Sequence, residues 1–180
     1  KPDLKKEIEL LNHVFLEQPN KGDEKLNKSI GHFFTRVMQF CGPLMAKGVE
    51  DTLMYTYNRF IAHNEVGDAP FAFGLTVSKF HSEMVKRHQN WPAAMNATAT
   101  HDTKRGEDAR ARLNVISDIP DVWFANVSSW EQMNKQYKKN SWPDKNVEYF
   151  IYQTILAHFP VIEKEIDSFP GRLTGYMEKA

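Results

Sequence analysis

Residues 100–108 read THDTKRGED, and the adjacent His101 and Asp102 are the pair with the clearest capacity for chemistry. An ionised carboxylate can stabilise an oxocarbenium-like centre in glycosyl transfer, and a neighbouring histidine can hydrogen-bond to hydroxyl groups of the sugar ring. The pair follows a short alternating run, and barrel enzymes present catalytic groups on loops at the carboxyl ends of their strands. A carbohydrate site is therefore one interpretation of this run, and two others remain open.

A helix cap would explain part of the run without any ligand. Asp102 or Thr103 could cap the following helix, whose first turn is acidic, as the helix dipole favours. Capping does not explain Lys104 and Arg105, because two cations oppose the positive end of that dipole. Their presence favours an electron-rich group nearby.

A metal site is the third interpretation. A His-Asp dipeptide with distant His and Asp side chains resembles the ligand set of helical metal-dependent phosphohydrolases. The remaining ligands would come from His63 or His81 and from Asp121 or Asp167. In that class the pair lies inside an apolar helix, whereas here it stands between ATAT and TKRGED, both poor helix interiors. The context argues against a metal site.

Most of the surrounding chain is predicted to be helical, because apolar residues recur at steps of three and four. The pattern predicts a mainly α fragment with about seven helices and at most one or two short strands. Gly42 and Pro43 are expected to end the second helix and start a third that reaches Phe60. The candidate N-caps are Asp23 and either Thr76 or Ser78. The predicted inward-facing residues include Val77, Phe80, Met84 and His88, then Ala109, Leu113 and Ile116, then Trp123, Val127, Trp130, Asn134 and Tyr137.

Residues 95–100 are the one convincing period-2 segment, in which Met95, Ala97 and Ala99 alternate with polar residues. A lone strand needs partners for its backbone N–H and C=O groups, and the sequence offers none within 180 residues. The segment is therefore either an extended loop or a strand whose neighbours lie outside this chain.

Composition narrows the class of protein. Lys plus Arg and Asp plus Glu each total 23, so no net charge attracts the chain to nucleic acid or to an anionic membrane. The single cysteine, Cys41, suits a reducing compartment, and no apolar run approaches the ~20 residues of a membrane span. A single domain in the cytoplasm is expected. Because residue 1 is Lys rather than Met, we expect the chain to be cut from a longer one.

Three long motifs carry a family resemblance. They are GPLMAKGVEDTLMYTYNRFIAHNEVG (residues 42–67), ATATHDTKRGEDARARLNVISDIP (97–120) and EYFIYQTILAHFP (148–160). With these motifs in the same order, the sequence from about Cys41 to its last residue resembles the maltooligosyl trehalose synthases. These form a family in the α-amylase clan of glycoside hydrolases.

The resemblance implies a cytoplasmic (β/α)8-barrel enzyme with helical insertions. Such enzymes isomerise the reducing-end α-1,4 linkage of a maltooligosaccharide to an α,α-1,1 linkage, by a retaining mechanism that needs no cofactor or metal ion. A carboxylate nucleophile and a glutamic acid perform the two steps. The implied partners are the glucan substrate, the remainder of the barrel, and a maltooligosyl trehalose trehalohydrolase that acts next in the pathway.

The motif match also implies roles for particular residues. Asp102 corresponds to the third carboxylate of the clan, which stabilises the transition state, and His101 contacts hydroxyl groups of the reacting sugar. Lys104 and Lys47 would lie near the acceptor glucose. The other implied substrate contacts are Arg105 and Glu50.

Two expected catalytic elements are absent from these 180 residues, namely the Arg-x-Asp nucleophile motif and the acid/base glutamate. Both normally precede the matched region, so the resemblance implies an internal fragment that is inactive alone. Residues 1–180 would form one helical unit, made of a helical insertion (about 1–75) and the region around the seventh barrel strand (about 76–180). A non-catalytic helical interaction or sugar-binding module is the alternative function.

Overall fold

The computed structural model describes residues 4–16, 23–69 and 72–180, and the chain divides into two compact units, Lys1–Val49 and Glu50–Ala180. Regular structure in the described ranges is helical without any strand, which confirms the predicted mainly α class. The first unit contains α1 (Lys5–Leu16) and α2 (Glu24–Met45). The second contains the short α3 (Met54–Thr56) and the longer α4 (Val77–Asn90), α5 (Glu107–Asp118), α6 (Pro120–Asn134), α7 (Lys145–His158) and α8 (Phe169–Met177). Across the described residues, no helix has both the length and the apolar composition that a bilayer crossing requires.

In the first unit, α1 and α2 pack together through aromatic rings. The ring of Phe15 lies 5.4 Å from that of Phe34 and 6.2 Å from that of Phe33, between centroids. Asp23 caps α2 as predicted, because its Oδ1 accepts a hydrogen bond from the Leu26 N–H at 2.9 Å. The cap expected from the sequence is therefore confirmed, although α2 has no buried residue among those described.

The predicted helix break at Gly42 and Pro43 is wrong, since α2 continues through both residues to Met45. Pro43 has no N–H and removes one bond from the helical ladder, yet the helix tolerates this loss. Beyond Met45 the chain widens into a π-helix, Ala46–Leu53, and the Ala46 N–H donates to the carbonyl groups of Gly42 and Pro43. The proline thus precedes a change of helical pitch rather than a break.

The helix expected to reach Phe60 ends at Thr56, and Phe60 itself is extended, with φ −153° and ψ 100°. The cause lies in the side chain of Asn64. Its Nδ2 donates to the carbonyl groups of Met54 at 2.8 Å and Tyr57 at 2.9 Å. Asn64 therefore satisfies the end of the helix and turns the chain away from it.

The core of the second unit is built around α5, α6 and α7, with α5 packed against α7. Ile61, which precedes these helices by more than 40 residues, is also fully buried in this core. The prediction for Tyr137 is wrong, because α6 ends at Asn134 and Tyr137 is exposed. Trp130 and Asn134 are partly buried, and the other predicted inward-facing residues of α5 and α6 are confirmed as buried: Ala109, Leu113, Ile116, Trp123 and Val127.

Helix α4 begins where the sequence indicates, because Thr76 Oγ1 accepts a hydrogen bond from the Lys79 N–H at 3.3 Å. Its predicted inward face is wrong. The helix has no buried residue in the described structure, and the four residues expected to face inward are all exposed: Val77, Phe80, Met84 and His88. Helical periodicity predicts which face is apolar, but it does not predict whether another element covers that face.

Residues 95–100 join no β-ladder in the described part of the chain, which is expected both for an extended loop and for a strand whose neighbours lie outside this chain. Arg110 Nη2 donates to the Thr98 carbonyl group. The N–H of Thr100 donates to Thr103 Oγ1 at 2.7 Å. Side chains, rather than a neighbouring strand, satisfy these backbone groups.

Candidate functional site

The His-Asp pair lies on a tight turn closed by two threonines. The N–H of Thr103 donates to the Thr100 carbonyl group at 3.2 Å, and Thr103 Oγ1 accepts from the Thr100 N–H at 2.7 Å. The N–H of Asp102 donates to Thr100 Oγ1 at 3.3 Å. The turn is thereby closed by its own backbone and hydroxyl groups, and Asp102 keeps its carboxylate for other partners.

His101 and Asp102 project from this turn into solvent. Their side chains are 91% and 63% exposed, and His101 Nε2 lies 3.3 Å from Asp102 Oδ2. The pair thus offers an accessible carboxylate beside an accessible imidazole. No cluster of three or more His, Cys, Asp or Glu side chains suited to a metal ion occurs among the described residues, so the phosphohydrolase-like ligand set is not assembled there.

The interpretation of Asp102 or Thr103 as a helix cap is wrong. Helix α5 starts at Glu107, its N-cap is Gly106, and no side chain caps it. The N-cap position, Gly106, is four positions after Asp102 and three after Thr103, so neither residue stands where a capping side chain must stand. The acidic first turn does occur as expected, with Glu107 and Asp108 next to the cap.

Lys104 turns inward from the same run. Its side chain is 10% exposed, and its Nζ lies 3.6 Å from Asp51 Oδ1. The ammonium group also lies 4.7 Å from the centre of the Tyr55 ring and 3.5 Å from the Tyr55 hydroxyl oxygen. The backbone N–H of Lys104 donates to Glu65 Oε2 at 2.6 Å. Both ends of this residue are therefore held by residues 51–65, which precede it by about 40 to 50 residues.

Arg105 is the most deeply buried of the predicted site residues, with a side-chain exposure of 1%. Its Nη1 donates to the carbonyl groups of Ile61 and Asn64, each at 3.2 Å. The same nitrogen lies 3.8 Å from Glu65 Oε1. The guanidinium group thus braces the backbone of residues 61–65 from inside the protein.

These contacts explain the cations that the sequence left unexplained. The electron-rich groups near Lys104 and Arg105 belong to the protein itself: a carboxylate of Asp51, the ring of Tyr55 and a carboxylate of Glu65. Sequence reasoning did not identify Tyr55 or Glu65 as part of the site. The only signal for them was their place in the motif 42–67, because nothing local connects them to residues 101–105.

The other predicted contacts lie in the π-helical segment Ala46–Leu53. Lys47 is exposed and belongs to the first unit, whereas Glu50 is half-buried and belongs to the second. Within the second unit, the structure joins the neighbouring Asp51, rather than Glu50, to the turn through Lys104.

Burial controls the charge state of Glu65. Removal from water raises the pKa of its carboxyl group above the ordinary value of 4.5. The N–H of Lys104 and the positive charge of Arg105 act in the opposite direction and limit this rise in pKa. Lys104 and Arg105 therefore compensate only part of the desolvation of the Glu65 carboxylate, which lies directly behind the exposed turn.

Comparison with known proteins gives sequence relatives and structural neighbours of one kind. No protein-family model matches the sequence. A Mycobacterium tuberculosis protein provisionally named maltooligosyl trehalose synthase is 37% identical over 145 residues, which cover 81% of this chain and 18% of that protein. The chain therefore spans about a fifth of the length of the relatives it matches.

Two crystal structures show the same relationship in three dimensions. A hypothetical maltooligosyl trehalose synthase from Sulfolobus tokodaii matches with a TM-score of 0.73 and 33% identity, over 89% of this chain and 23% of its own. Another maltooligosyl trehalose synthase matches with a TM-score of 0.74 and 31% identity, over 88% of this chain and 21% of its own. In sequence and in fold, the chain is thus a homologue of one section of the maltooligosyl trehalose synthases, a family of enzymes.

Proposed function

We propose that this chain supplies one wall of the active site of a glucan isomerase. The enzyme would convert the reducing-end α-1,4 linkage of a maltooligosaccharide into an α,α-1,1 linkage, giving a maltooligosyl trehalose. The observation that carries the proposal is the turn at residues 100–103, which exposes His101 and Asp102 while its following residues anchor it from inside. A pre-organised carboxylate on a fixed turn is what an oxocarbenium-like transition state needs.

In this role, the exposed carboxylate of Asp102 stabilises the positive charge that develops at the anomeric carbon. His101 contacts hydroxyl groups of the same sugar. A hydrogen bond of this kind that strengthens in the transition state raises the rate rather than only the affinity.

Of the remaining predicted site residues, three are proposed to contact the sugar and one, Arg105, is not. Lys104 and Lys47 would face the acceptor glucose, and Glu50 would bind a hydroxyl group. Lys104 would act through an ammonium group already oriented by Asp51. Arg105 cannot touch a sugar with a side chain that is 1% exposed, so its contribution would be to hold the backbone beneath the turn.

The nucleophile and the acid/base would come from polypeptide outside residues 1–180, in the remainder of the parent barrel. Residues 1–180 alone would therefore lack isomerase activity. The cytoplasm is the expected location, and a maltooligosyl trehalose trehalohydrolase would consume the product. The proposed isomerisation needs no cofactor.

The test uses a longer polypeptide in which residues 1–180 are joined to the upstream sequence. Maltopentaose is added and the loss of reducing ends is followed. Activity is expected, and Asp102→Asn should lower kcat on the order of a thousandfold, since one preorganised charge is removed from the transition state. Asp121→Asn, at an exposed carboxylate of α6, is the control and should retain activity. Full activity of Asp102→Asn would contradict the assignment of Asp102 as the residue that stabilises the transition state.

The alternative function is a non-catalytic interaction or sugar-binding module, which the exposed apolar face of α4 favours. Titration of the 180-residue chain with maltopentaose, followed by amide NMR, distinguishes the two. Tight binding by the isolated chain together with an inactive longer polypeptide would support the module.

A further inference from the structure

Glu65 lies directly behind the exposed turn, with one carboxylate oxygen hydrogen-bonded to Lys104 and the other near Arg105. Oε2 accepts from the backbone N–H of Lys104 at 2.6 Å, and Oε1 lies 3.8 Å from Arg105 Nη1. Glu65 is buried, and 39 residues separate it from Lys104 along the chain. One side chain thus connects two distant segments at the point where the turn enters the protein.

The segment that bears Glu65 is itself fixed from two sides. Arg105 Nη1 donates to the carbonyl groups of Ile61 and Asn64 on one side. On the other, Gln153 Oε1 accepts from the Ile61 N–H at 3.0 Å, which ties the segment to α7. Glu65 is therefore a rigid support rather than a mobile surface group.

The turn itself has only exposed, short-range hydrogen bonds between Thr100 and Thr103. Such bonds open easily in water, so they do not determine where the tip of the turn points relative to the protein. The direction of the tip therefore depends on the contacts of Lys104 and Arg105 with the rest of the protein, among them the partly buried bond from the Lys104 N–H to Glu65. Buried ion pairs contribute little net stability but do restrict geometry, which favours a geometric role for Glu65 over a stabilising one.

We infer that Glu65 is a positioning residue for the candidate site, one that places Asp102 and His101 against the reacting sugar through the backbone of Lys104. The inference rests on the proposed function. It assigns to Glu65 an effect on kcat rather than on substrate binding, because a displaced stabilising carboxylate loses contact mainly with the transition state.

The experiment compares Glu65→Ala with Glu148→Ala. Glu148 is also a buried, ion-paired carboxylate, since it pairs with Lys138, but it lies on α7 and makes no contact with the turn. Two readouts are taken: amide hydrogen exchange at Lys104 in the 180-residue chain, and the kcat and KM of the longer polypeptide with maltopentaose.

Glu65→Ala is expected to speed exchange at Lys104 on the order of tenfold or more and to lower kcat on the order of a hundredfold, with KM within about threefold. Glu148→Ala should leave both readouts within about threefold of the parent, even though both variants lose a buried ion pair. Equal losses of kcat in the two variants, or slow exchange at Lys104 in Glu65→Ala, would overturn the inference.

Glu65→Gln covers the case in which Glu65→Ala does not fold. It keeps an oxygen for the Lys104 N–H but faces Arg105 with an uncharged amide, so smaller changes in the same direction are expected. Parent values of both readouts in Glu65→Gln would contradict the inference. If Asp102→Asn is fully active, the proposed function fails, whereas the exchange measurement still decides whether Glu65 anchors the turn.

Discussion

The side-chain oxygen of Gln153 accepts a hydrogen bond from the backbone N–H of Ile61 at 3.0 Å, across 92 residues of sequence. The amide nitrogen of the same side chain donates to the Asn58 carbonyl group at 2.8 Å. Gln153 is fully buried, so both of its polar ends find partners inside the protein. Through this one side chain, α7 holds the segment that leads to Glu65.

Gln153→Met is expected to lower the free energy of unfolding by about 3 kcal/mol. The substitution keeps the side-chain volume but leaves the Ile61 N–H and the Asn58 carbonyl group buried without partners. Urea unfolding followed by circular dichroism measures the change. Gln136→Met, at an exposed glutamine, is the control and should change the free energy by less than about 0.5 kcal/mol. If Gln153→Met lowered the unfolding free energy no more than Gln136→Met does, the proposed role of the two buried hydrogen bonds would be contradicted.

Leu113→Ala should also cost about 3 kcal/mol of unfolding free energy, for a different reason. Leu113 is fully buried on α5, where that helix packs against α7, so truncation leaves a cavity in the core. Leu75→Ala removes the same atoms from an exposed position before α4 and should cost little. Equal midpoints for the two variants in urea would show that α5 is not part of the core.

The two buried glutamates are expected to titrate on opposite sides of their ordinary pKa of 4.5. Burial raises the pKa of Glu65, and its donors only limit the rise. Burial also acts to raise the pKa of Glu148, but hydrogen bonds from Lys138 and Tyr152 outweigh it and hold that pKa below the ordinary value. NMR titration of the carboxyl carbons measures both values, and the reverse order would refute the assignment.

The same pKa shifts determine two opposite pH effects on stability. Glu148 contributes stability that is present above about pH 4.5 and is lost as the pH falls through its lowered pKa. Glu65 contributes stability that is present below about pH 4.5 and is lost as the pH rises through its raised pKa. Glu148→Gln should therefore weaken the loss of unfolding free energy in acid, whereas Glu65→Gln should not.

The raised pKa of Tyr152 predicts that the protein loses unfolding free energy at alkaline pH. Burial, together with the hydrogen bond that its hydroxyl donates to Glu148 at 2.7 Å, raises its pKa to about 12 from an ordinary value of 10. Its contribution is complete below about pH 10 and is lost as the pH rises toward about 12. Tyr152→Phe should reduce that alkaline loss and should also cost about 1–2 kcal/mol at neutral pH, because Glu148 loses a donor. Urea unfolding across this pH range tests both effects, with Tyr137→Phe at an exposed tyrosine as the control.

Several features of the fold were predictable because their causes lie within a few residues of each other. The caps at Asp23 and Thr76 each accept a bond from an N–H three residues on, so the side chain and its partner are neighbours in sequence. The buried face of α5 follows from the spacing of its own apolar residues. By contrast, the apolar face of α4 was predicted to be buried and is exposed, because covering a face requires a second element.

In the candidate site, too, some features follow from local sequence and others depend on distant residues. Its exposed pair, His101 and Asp102, stands out in the sequence through residue type and through motifs resembling one enzyme family. The partners of the neighbouring cations do not, because Glu65 lies 39 residues from Lys104 and Asn64 lies 41 residues from Arg105. A contact over such a distance depends on how the whole segment is folded rather than on local preference.

The sequence by itself thus determined the mainly helical class and the starts of α2 and α4, and it predicts His101 and Asp102 as the pair that could act on a sugar. Only the tertiary structure decided that Lys104 and Arg105 turn inward while His101 and Asp102 remain exposed. The physical reason is that α5 packs against α7, and α7 holds the segment of Ile61. That packing brings the carboxylate of Glu65 beneath the turn, where Oε2 accepts from the backbone N–H of Lys104 and Oε1 lies 3.8 Å from Arg105 Nη1.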